Sequence, residues 1–222
     1  ETLQVDGERL QDVVIYDPSY PSLSGSDPTD VLPSGRVQLD EYLDMPTLRQ
    51  ASLGVEHAFS QGTRLNATYR FRDGENLLRG RNVNAPLPDG TRPEANVGTV
   101  TEVQSIGESR AHQLVVGFNT AGPNQRFFVG GNYTLSFSYD DGSGATSLPA
   151  DSLSPDEWGP ASDDVRHRVG LFFNVRLRSN LRLGGNVRLE SAPPYNVTTG
   201  RDVNGDAIFN DRPEGVGRNS AR

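Results

Sequence analysis

The segment RFFVGGNYTLSFSYDD, residues 126–141, decides the fold, because its side chains alternate in character along its whole length. One face carries Phe127, Val129, Gly131, Tyr133, Leu135, Phe137 and Tyr139, and the other carries Phe128, Gly130, Asn132, Thr134, Ser136, Ser138 and Asp140. Since successive side chains of a strand point to opposite faces, the alternation predicts one long strand with an apolar side. A tilted strand needs roughly 9–11 residues to cross a bilayer, whereas strands of soluble proteins usually have about five or six. The length therefore favours a membrane-spanning strand.

Five further segments alternate in the same way, and together they predict six strands in three hairpins over residues 47–193. These segments are residues 50–59, 64–72, 111–119, 165–178 and 181–190. Tight turns at SQGT, AGPNQ and Ser179-Asn180 alternate with long polar connections at about 74–107 and 141–164. An antiparallel meander places every second connection at the same end. The sequence therefore predicts an all-β, antiparallel up-and-down meander, part of a large transmembrane β-barrel with its turns at one end and its loops at the other.

The two flanks of this region read as loops. Residues 1–46 are rich in Pro, Ser, Gly and Asp, residues that break ladders and set turns, and we predict an extracellular loop or strand end there. Residues 194–222 are rich in Gly, Asn and Asp, and we predict a further extracellular loop segment. Met45 is the single methionine, and we expect the chain to be an internal part of a longer polypeptide.

Composition excludes several classes of function. The chain has no cysteine, so disulfides and thiolate metal sites are excluded. Its formal charge of −8 argues against nucleic acid as a partner. His57, His112 and His167 lie on apolar rows of different strands, and no nucleophile elbow or HExxH spacing occurs. We therefore predict that the protein is not an enzyme.

A soluble β-sandwich is the main alternative, because its strands alternate in the same way and its apolar faces pack on each other. Two features argue against it. Loops of a sandwich are not normally sorted by length to one end over three hairpins. The polar rows are also rich in arginine, at Arg64, Arg70, Arg72, Arg166, Arg168, Arg176, Arg178, Arg182 and Arg188, with few acidic residues beside them.

Several segments between residues 47 and 222 resemble the barrel of TonB-dependent receptors. They are LRQASLGVEHAF, GTRLNATYRF, LLRGRNVNAPLPDG, EWGPASDDVRHRVG and PPYNVTTGRDVNGDAIFNDRPEGVGRNSAR. The resemblance is to Oar-like members, which carry a carboxypeptidase-regulatory-type N-terminal domain. It implies some of the strands of a plugged barrel of about 22, in the outer membrane of a Gram-negative cell.

The resemblance implies active transport of a substrate that binds at the extracellular loops. The implied partners are outer-membrane lipid, a plug domain, TonB and an unidentified substrate; the plug and the TonB box are not in this sequence. Two other functions stay open. One is a soluble or secreted binding module of the sandwich type, and the other is a non-transporting barrel that serves as an adhesin or surface anchor.

The loop DVNGDAIFND, residues 202–211, has the oxygen spacing of a calcium loop. The candidate ligands are Asp202, Asn204, Asp206, the Ile208 carbonyl, Asn210 and Asp211. Ala207 stands where such loops carry glycine, and Pro213 stands where they carry a bidentate carboxylate. Asn, Gly and Asp also favour a cluster of tight turns in an exposed loop. We favour that interpretation and predict no cofactor, with calcium as the alternative.

Three other groups of residues have both a functional and a structural interpretation. Arg70, Arg166, Arg168, Arg176 and Arg188 are predicted to face the lumen, where they would attract anionic substrate or pair with carboxylates of the plug or of neighbouring strands. Trp158 would stack on a ligand ring or pack its own loop. The acidic loop residues Asp140, Asp141, Asp151, Asp156, Glu157, Asp163 and Asp164 are predicted to be solvated surface, with bridging of divalent cations on lipopolysaccharide as the alternative.

Overall fold

The computed structural model describes residues 13–15, 30–31 and 35–222, except residues 61, 96, 124–125, 143 and 153–156. Most of the predicted 1–46 loop and Asp156 lie outside the described residues. The described strands are β1 (Val13–Val14), β2 (Asp30–Val31), β3 (Arg36–Leu39), β4 (Thr47–Ser60), β5 (Thr63–Asn82), β6 (Val100–Ala121), β7 (Phe127–Asp140), β8 (Gly159–Pro160), β9 (His167–Arg178) and β10 (Leu181–Glu190). None of the described residues lies in a helix long and apolar enough to cross a membrane.

The six long strands form one antiparallel sheet in the order β10-β9-β7-β6-β5-β4. Each long strand pairs with its neighbour in the chain, as the alternation predicts. Within the described residues, β4 pairs only with β5, and β10 only with β9. The sheet is therefore an open strip with two free edges, and it does not show the two packed sheets of a β-sandwich.

The three tight turns share one end of this strip. The Ala121 amide donates to the Gly62 carbonyl at 2.9 Å, which joins the first turn to the second. The Arg176 amide donates to the Arg126 carbonyl at 2.8 Å, which joins the second turn to the third strand pair. The described parts of the long connections lie at the opposite end, so the predicted sorting of turns and loops is confirmed.

The prediction of a polar connection over residues 74–107 is wrong, because β5 continues to Asn82 and β6 begins at Val100. The actual connection is residues 83–99. Register shifts occur between Gly74 and Leu77 and between Leu77 and Arg79, and Asn76 has a φ of 57°. Since each bulge changes the face to which the following side chains point, the period of two is lost from the sequence although the strands stay paired.

The extended part of β6 acquires a further partner from the predicted loop region. β7 ends at Asp140, opposite Ser109, which leaves one edge of β6 free beyond that point. β3 pairs with this edge in parallel, from Arg36 opposite Val100 to Leu39 opposite Val103. Residues 36–39 are therefore a strand rather than part of a loop.

Apolar side chains on one face of the sheet are exposed, and the buried residues lie elsewhere. Leu53 is 79% exposed, and Val55, Leu171, Val187 and Leu189 are exposed on the same face. Exposed apolar surface of this extent indicates contact with a lipid or protein partner. The buried apolar residues lie at the loop-bearing end, at Ala85, Val100, Val103, Ala150 and Ala161.

Candidate functional site

The polar face of the sheet carries an excess of positive charge. Seven arginines of the long strands lie on it, Arg64, Arg70, Arg72, Arg168, Arg176, Arg182 and Arg188, together with Glu56, Glu190 and, at the loop end, Asp140. Glu190 pairs with Arg188 at 2.5 Å and with Arg168 at 3.5 Å. Arg70 has an amide partner, the Gln113 side-chain oxygen, at 3.1 Å.

Four of the five predicted lumen-facing arginines lie on this face, namely Arg70, Arg168, Arg176 and Arg188. Arg166 departs from the prediction. It precedes β9, pairs with Asp164 at 2.9 Å, and places its guanidinium 4.0 Å from the centre of the Phe137 ring. Because Phe137 belongs to the apolar row, cation–π stacking holds Arg166 away from the polar face.

The described parts of the long connections pack together at one end into what we call the loop cap, residues 83–95, 97–99, 141–142, 144–152, 157–166 and 191–222. Several ion pairs bind it to the strand ends and to itself. Arg79 of β5 pairs with Asp141 at 3.0 Å, and Arg212 pairs with both oxygens of Glu157 at 2.7 and 3.1 Å. Arg218 pairs with Asp140 at the end of β7.

Asp164 is the most buried of the paired acids, with no exposed side-chain surface. It accepts hydrogen bonds from the Ser138 amide at 3.0 Å, from Arg166 at 2.9 Å and from Arg222 at 2.5 Å. One carboxylate thus joins β7, the connection before β9 and the end of the described chain. The prediction of solvated surface is wrong for Asp164 and Glu157, because buried charges of this kind require paired cations.

A polar cavity of about 210 Å³ lies within the loop cap. Its charged lining is Arg79, Asp141, Glu157, Arg212 and Arg218. Asn210 also lines it, and its amide nitrogen donates to the carbonyls of Leu148 and Pro149 at 3.1 and 3.3 Å. These two acceptors fix the orientation of the amide, so its buried oxygen has no hydrogen-bond partner among the described residues.

The predicted calcium loop is organised by its own backbone amides. Asp202 accepts from the amides of Asp206 at 3.0 Å and Ala207 at 2.9 Å. Asp211 accepts from the Val203 amide at 2.6 Å. Among the described residues, no three or more histidines and carboxylates are grouped so as to hold a metal ion. The turn-cluster interpretation accounts for these contacts, and calcium binding stays a prediction without support from the geometry.

The other predicted ligands also bind within the loop cap. Asn204 donates to the Ala150 carbonyl at 3.0 Å, and Asp206 accepts from the Ile208 amide at 2.8 Å. Asp206 is 1% exposed, and burial raises the pKa of its carboxyl to about 6, although the Ile208 amide and the Asn204 side chain lower it. The neighbouring carboxylates of Asp202 and Asp211 raise it further.

Trp158 packs on the protein rather than projecting freely. Its ring stacks on Tyr139, with the centroids 6.4 Å apart and an angle of 13° between the planes. Tyr139 belongs to the apolar row of β7, and β8 pairs beside it. Trp158 is 43% exposed, so part of its surface remains accessible to solvent. The structure therefore supports loop packing and leaves binding of a ligand ring untested.

Two tyrosine–histidine pairs on the apolar face are absent from the sequence-based predictions. The Tyr69 hydroxyl lies 2.7 Å from Nδ1 of His112, and the Tyr133 hydroxyl lies 2.8 Å from Nδ1 of His167. Both pairs join adjacent strands, so the strand order is needed to identify them. They satisfy polar atoms on the apolar face of the sheet.

Comparison with known proteins agrees with this architecture. Residues 8–222 match the family described as the outer membrane beta barrel domain. The structure is similar to that of the outer membrane transporter YddB from Escherichia coli, with a TM-score of 0.54 and 15% sequence identity. The similarity covers 78% of this chain and 24% of the transporter, so the chain spans about a quarter of that protein. No curated protein matches the sequence.

The match to the family extends over nearly the whole chain and agrees with the single antiparallel sheet, its exposed apolar face and its one-sided loops. A soluble or secreted sandwich module is therefore the wrong interpretation. The chain belongs to the outer membrane β-barrel domain family, and its location is the outer membrane.

Proposed function

We propose that this chain is part of a TonB-dependent active transporter of the Oar-like type, which binds a substrate at the loop cap and imports it across the outer membrane. The observation that carries the proposal is the packing of residues from the connections after β7, β8 and β10 into a charged cap around a polar cavity. A barrel that served only as an anchor would not require such a cavity. The similarity to a transporter supports the same function.

The two faces of the sheet fit this role. The apolar face would contact lipid, with Tyr139 and Trp158 at the loop end, where amphipathic aromatic rings favour the membrane interface. The arginine-rich face would line the lumen, which is wide in large barrels and filled by a plug. A plug and TonB are the proposed partners, and no chemical reaction is assigned to the protein.

Depletion of solutes from the medium tests transport directly. Cells that carry the intact gene, a gene deletion or a TonB deletion would be supplied with a defined mixture of oligosaccharides and oligopeptides, and each solute would be followed by mass spectrometry. We expect at least one solute to be depleted faster by cells with the gene, and this difference to vanish in both deletion strains. Identical depletion in all three strains contradicts transport.

A loop-cap variant connects transport to the cavity. Arg212→Ala leaves the buried Glu157 carboxylate without its bidentate partner, and we expect uptake of the depleted solute to fall with it. Arg201→Ala is the matched control, because Arg201 is an exposed loop arginine whose side chain forms no ion pair among the described residues. Loss of cell adhesion in the gene deletion with unchanged depletion would instead support the adhesin or anchor.

A further inference from the structure

The polar cavity of the loop cap is surrounded by charges that neutralise one another. Three ion pairs stand at its wall, namely Arg79–Asp141, Arg212–Glu157 and Arg218–Asp140. Five of these six side chains line the cavity, and the sixth, Asp140, lies beside it at the end of β7. The guanidinium groups are thus matched by carboxylates, so the wall carries no formal net charge although it is built of charged groups.

This balance disfavours a charged ligand. The side chain of Arg212 is 13% exposed and that of Glu157 is 3% exposed, so water screens neither group well. An anion in the cavity would have to draw Arg212 away from Glu157, and a cation would have to draw Glu157 away from Arg212. Either displacement leaves a buried charge without its partner, which is strongly unfavourable. A ligand without net charge disturbs none of the three pairs.

The wall nevertheless offers hydrogen bonds that the ion pairs do not use. A guanidinium has more N–H donors than one carboxylate takes up, and a paired carboxylate keeps further lone pairs. Among the described residues, Asp141 takes one N–H of Arg79, and Glu157 takes two of Arg212. Donors and acceptors of the wall therefore remain for a ligand, and an apolar ligand would leave them unpaired.

Hydroxyl groups suit such a wall, because a hydroxyl both donates and accepts a hydrogen bond without carrying charge. The cavity has a volume of about 210 Å³. At about 30 Å³ for each molecule it has room for about seven waters, and it is smaller than the roughly 300–1,000 Å³ pockets of drug-sized ligands. Asn196 belongs to its lining and is exposed, so the cavity reaches the surface. This room suits one sugar ring, whose hydroxyls would replace the hydrogen bonds of the displaced water.

We infer that the cavity of the loop cap binds one uncharged sugar ring, and that its paired charges select against charged sugars. The hydroxyls of the ring accept hydrogen bonds from Arg79 and Arg212 and donate to Asp141. This inference rests on the proposed function and deepens it, because it names the chemical class of the substrate that the loop cap takes.

Ligand binding to the full-length protein tests the site. The protein is purified in a detergent without a sugar headgroup, and dissociation constants for glucose, galactose and mannose are measured by saturation-transfer NMR. The amino sugar and the uronic acid of each hexose are the matched cationic and anionic probes. We expect the wild type to bind at least one neutral hexose, and to bind its charged counterparts at least about tenfold more weakly. No binding of any neutral hexose, or tighter binding of a charged counterpart, overturns the proposal.

Asp141→Asn tests the charge balance through a gain of binding, which a misfolded variant cannot produce. The asparagine keeps a side-chain oxygen to accept from the Glu108 amide but leaves Arg79 without its counter-charge. We expect the uronic acid to bind about tenfold more tightly than it binds to the wild type. Asp163→Asn, which removes an exposed carboxylate of the same loop cap, is the matched control and should behave as the wild type.

Ala150→Leu narrows the cavity and should abolish binding of the neutral hexose, because Ala150 belongs to the lining. Unchanged hexose binding in this variant, or an unchanged affinity for the uronic acid in Asp141→Asn, overturns the proposal. The depletion assay separates the inference from the proposed function. Hexose binding without gene-dependent depletion contradicts transport and leaves the site, whereas gene-dependent depletion without hexose binding overturns the site and leaves transport.

Discussion

The buried carboxylate of Asp164 provides the sharpest test of how the loop cap is held to the sheet. We consider Asp164→Asn, which keeps an oxygen to accept from the Ser138 amide but removes the charge that Arg166 and Arg222 neutralise. Removing one partner of a buried ion pair costs roughly 3–5 kcal/mol. The side chains of Arg166 and Arg222 are 23% and 33% exposed, so water relieves part of their cost and we expect about 3 kcal/mol.

Amide hydrogen exchange in the full-length protein measures this loss locally. The amides of Ser138 and Ala161 report on it, because Ser138 donates to Asp164 and Ala161 donates to the Ser138 carbonyl. A loss of about 3 kcal/mol corresponds to an exchange rate that rises about 100-fold. Asp163→Asn is the control, since this neighbouring carboxylate is exposed and forms no ion pair among the described residues. Equal exchange in the two variants would refute the reasoning.

Three further predictions concern the faces of the sheet and the 202–211 loop. Leu171→Arg places a charge on the exposed apolar face and should cost roughly 2–4 kcal/mol at the bilayer midplane, whereas Asn132→Arg lies on the polar face, opposite Gly117 and Gly170, and this variant barrel should assemble normally. Heat-modified gel mobility measures barrel assembly in both variants, and equal assembly contradicts the face assignment. Burial raises the pKa of Asp206 to about 6, so protonation stabilises the folded loop fully below about pH 4, and this stabilisation is lost as the pH rises through 6. Residues 200–212 should therefore be more sensitive to protease at pH 8 than at pH 5, and Asp206→Asn should remove this difference. If the loop holds calcium, the ion should protect the same residues from protease at pH 7 in the wild type but not in Asp202→Ala. Equal digestion with and without calcium would contradict calcium binding and support the turn cluster.

Local patterns were sufficient for the six long strands. The alternation of residues 127–140 and of its five companions is set by the pleat of a single strand, so it is visible without knowledge of any neighbour. Connection lengths then specified a meander with its turns at one end. The same patterns assigned Arg70, Arg168, Arg176 and Arg188 to the polar face correctly.

Interruptions of the pattern hid the extension of β5 and β6 toward the connection between them. The register shifts after Gly74 and Leu77 break the period of two, and the many polar residues of 75–82 resemble those of a loop. The parallel pairing of β3 with β6 depends on where β7 ends, which is a property of the sheet and not of residues 36–39. Neither the extension of β5 and β6 nor the pairing of β3 can therefore be predicted from the residues of the segment itself.

The charged contacts of the loop cap were decided by tertiary structure alone. Nothing in the spacing of Glu157 and Arg212, or of Asp164 and Arg222, indicates that they meet, because more than fifty residues separate each pair. An acidic residue in a polar loop has the same local sequence whether water or an arginine surrounds it. The sequence by itself therefore determined the strands, their faces and the end at which the loops lie. Only the packing of distant loops decided which charges are buried, since burial depends on contacts that the chain makes after the sheet has brought its long connections together.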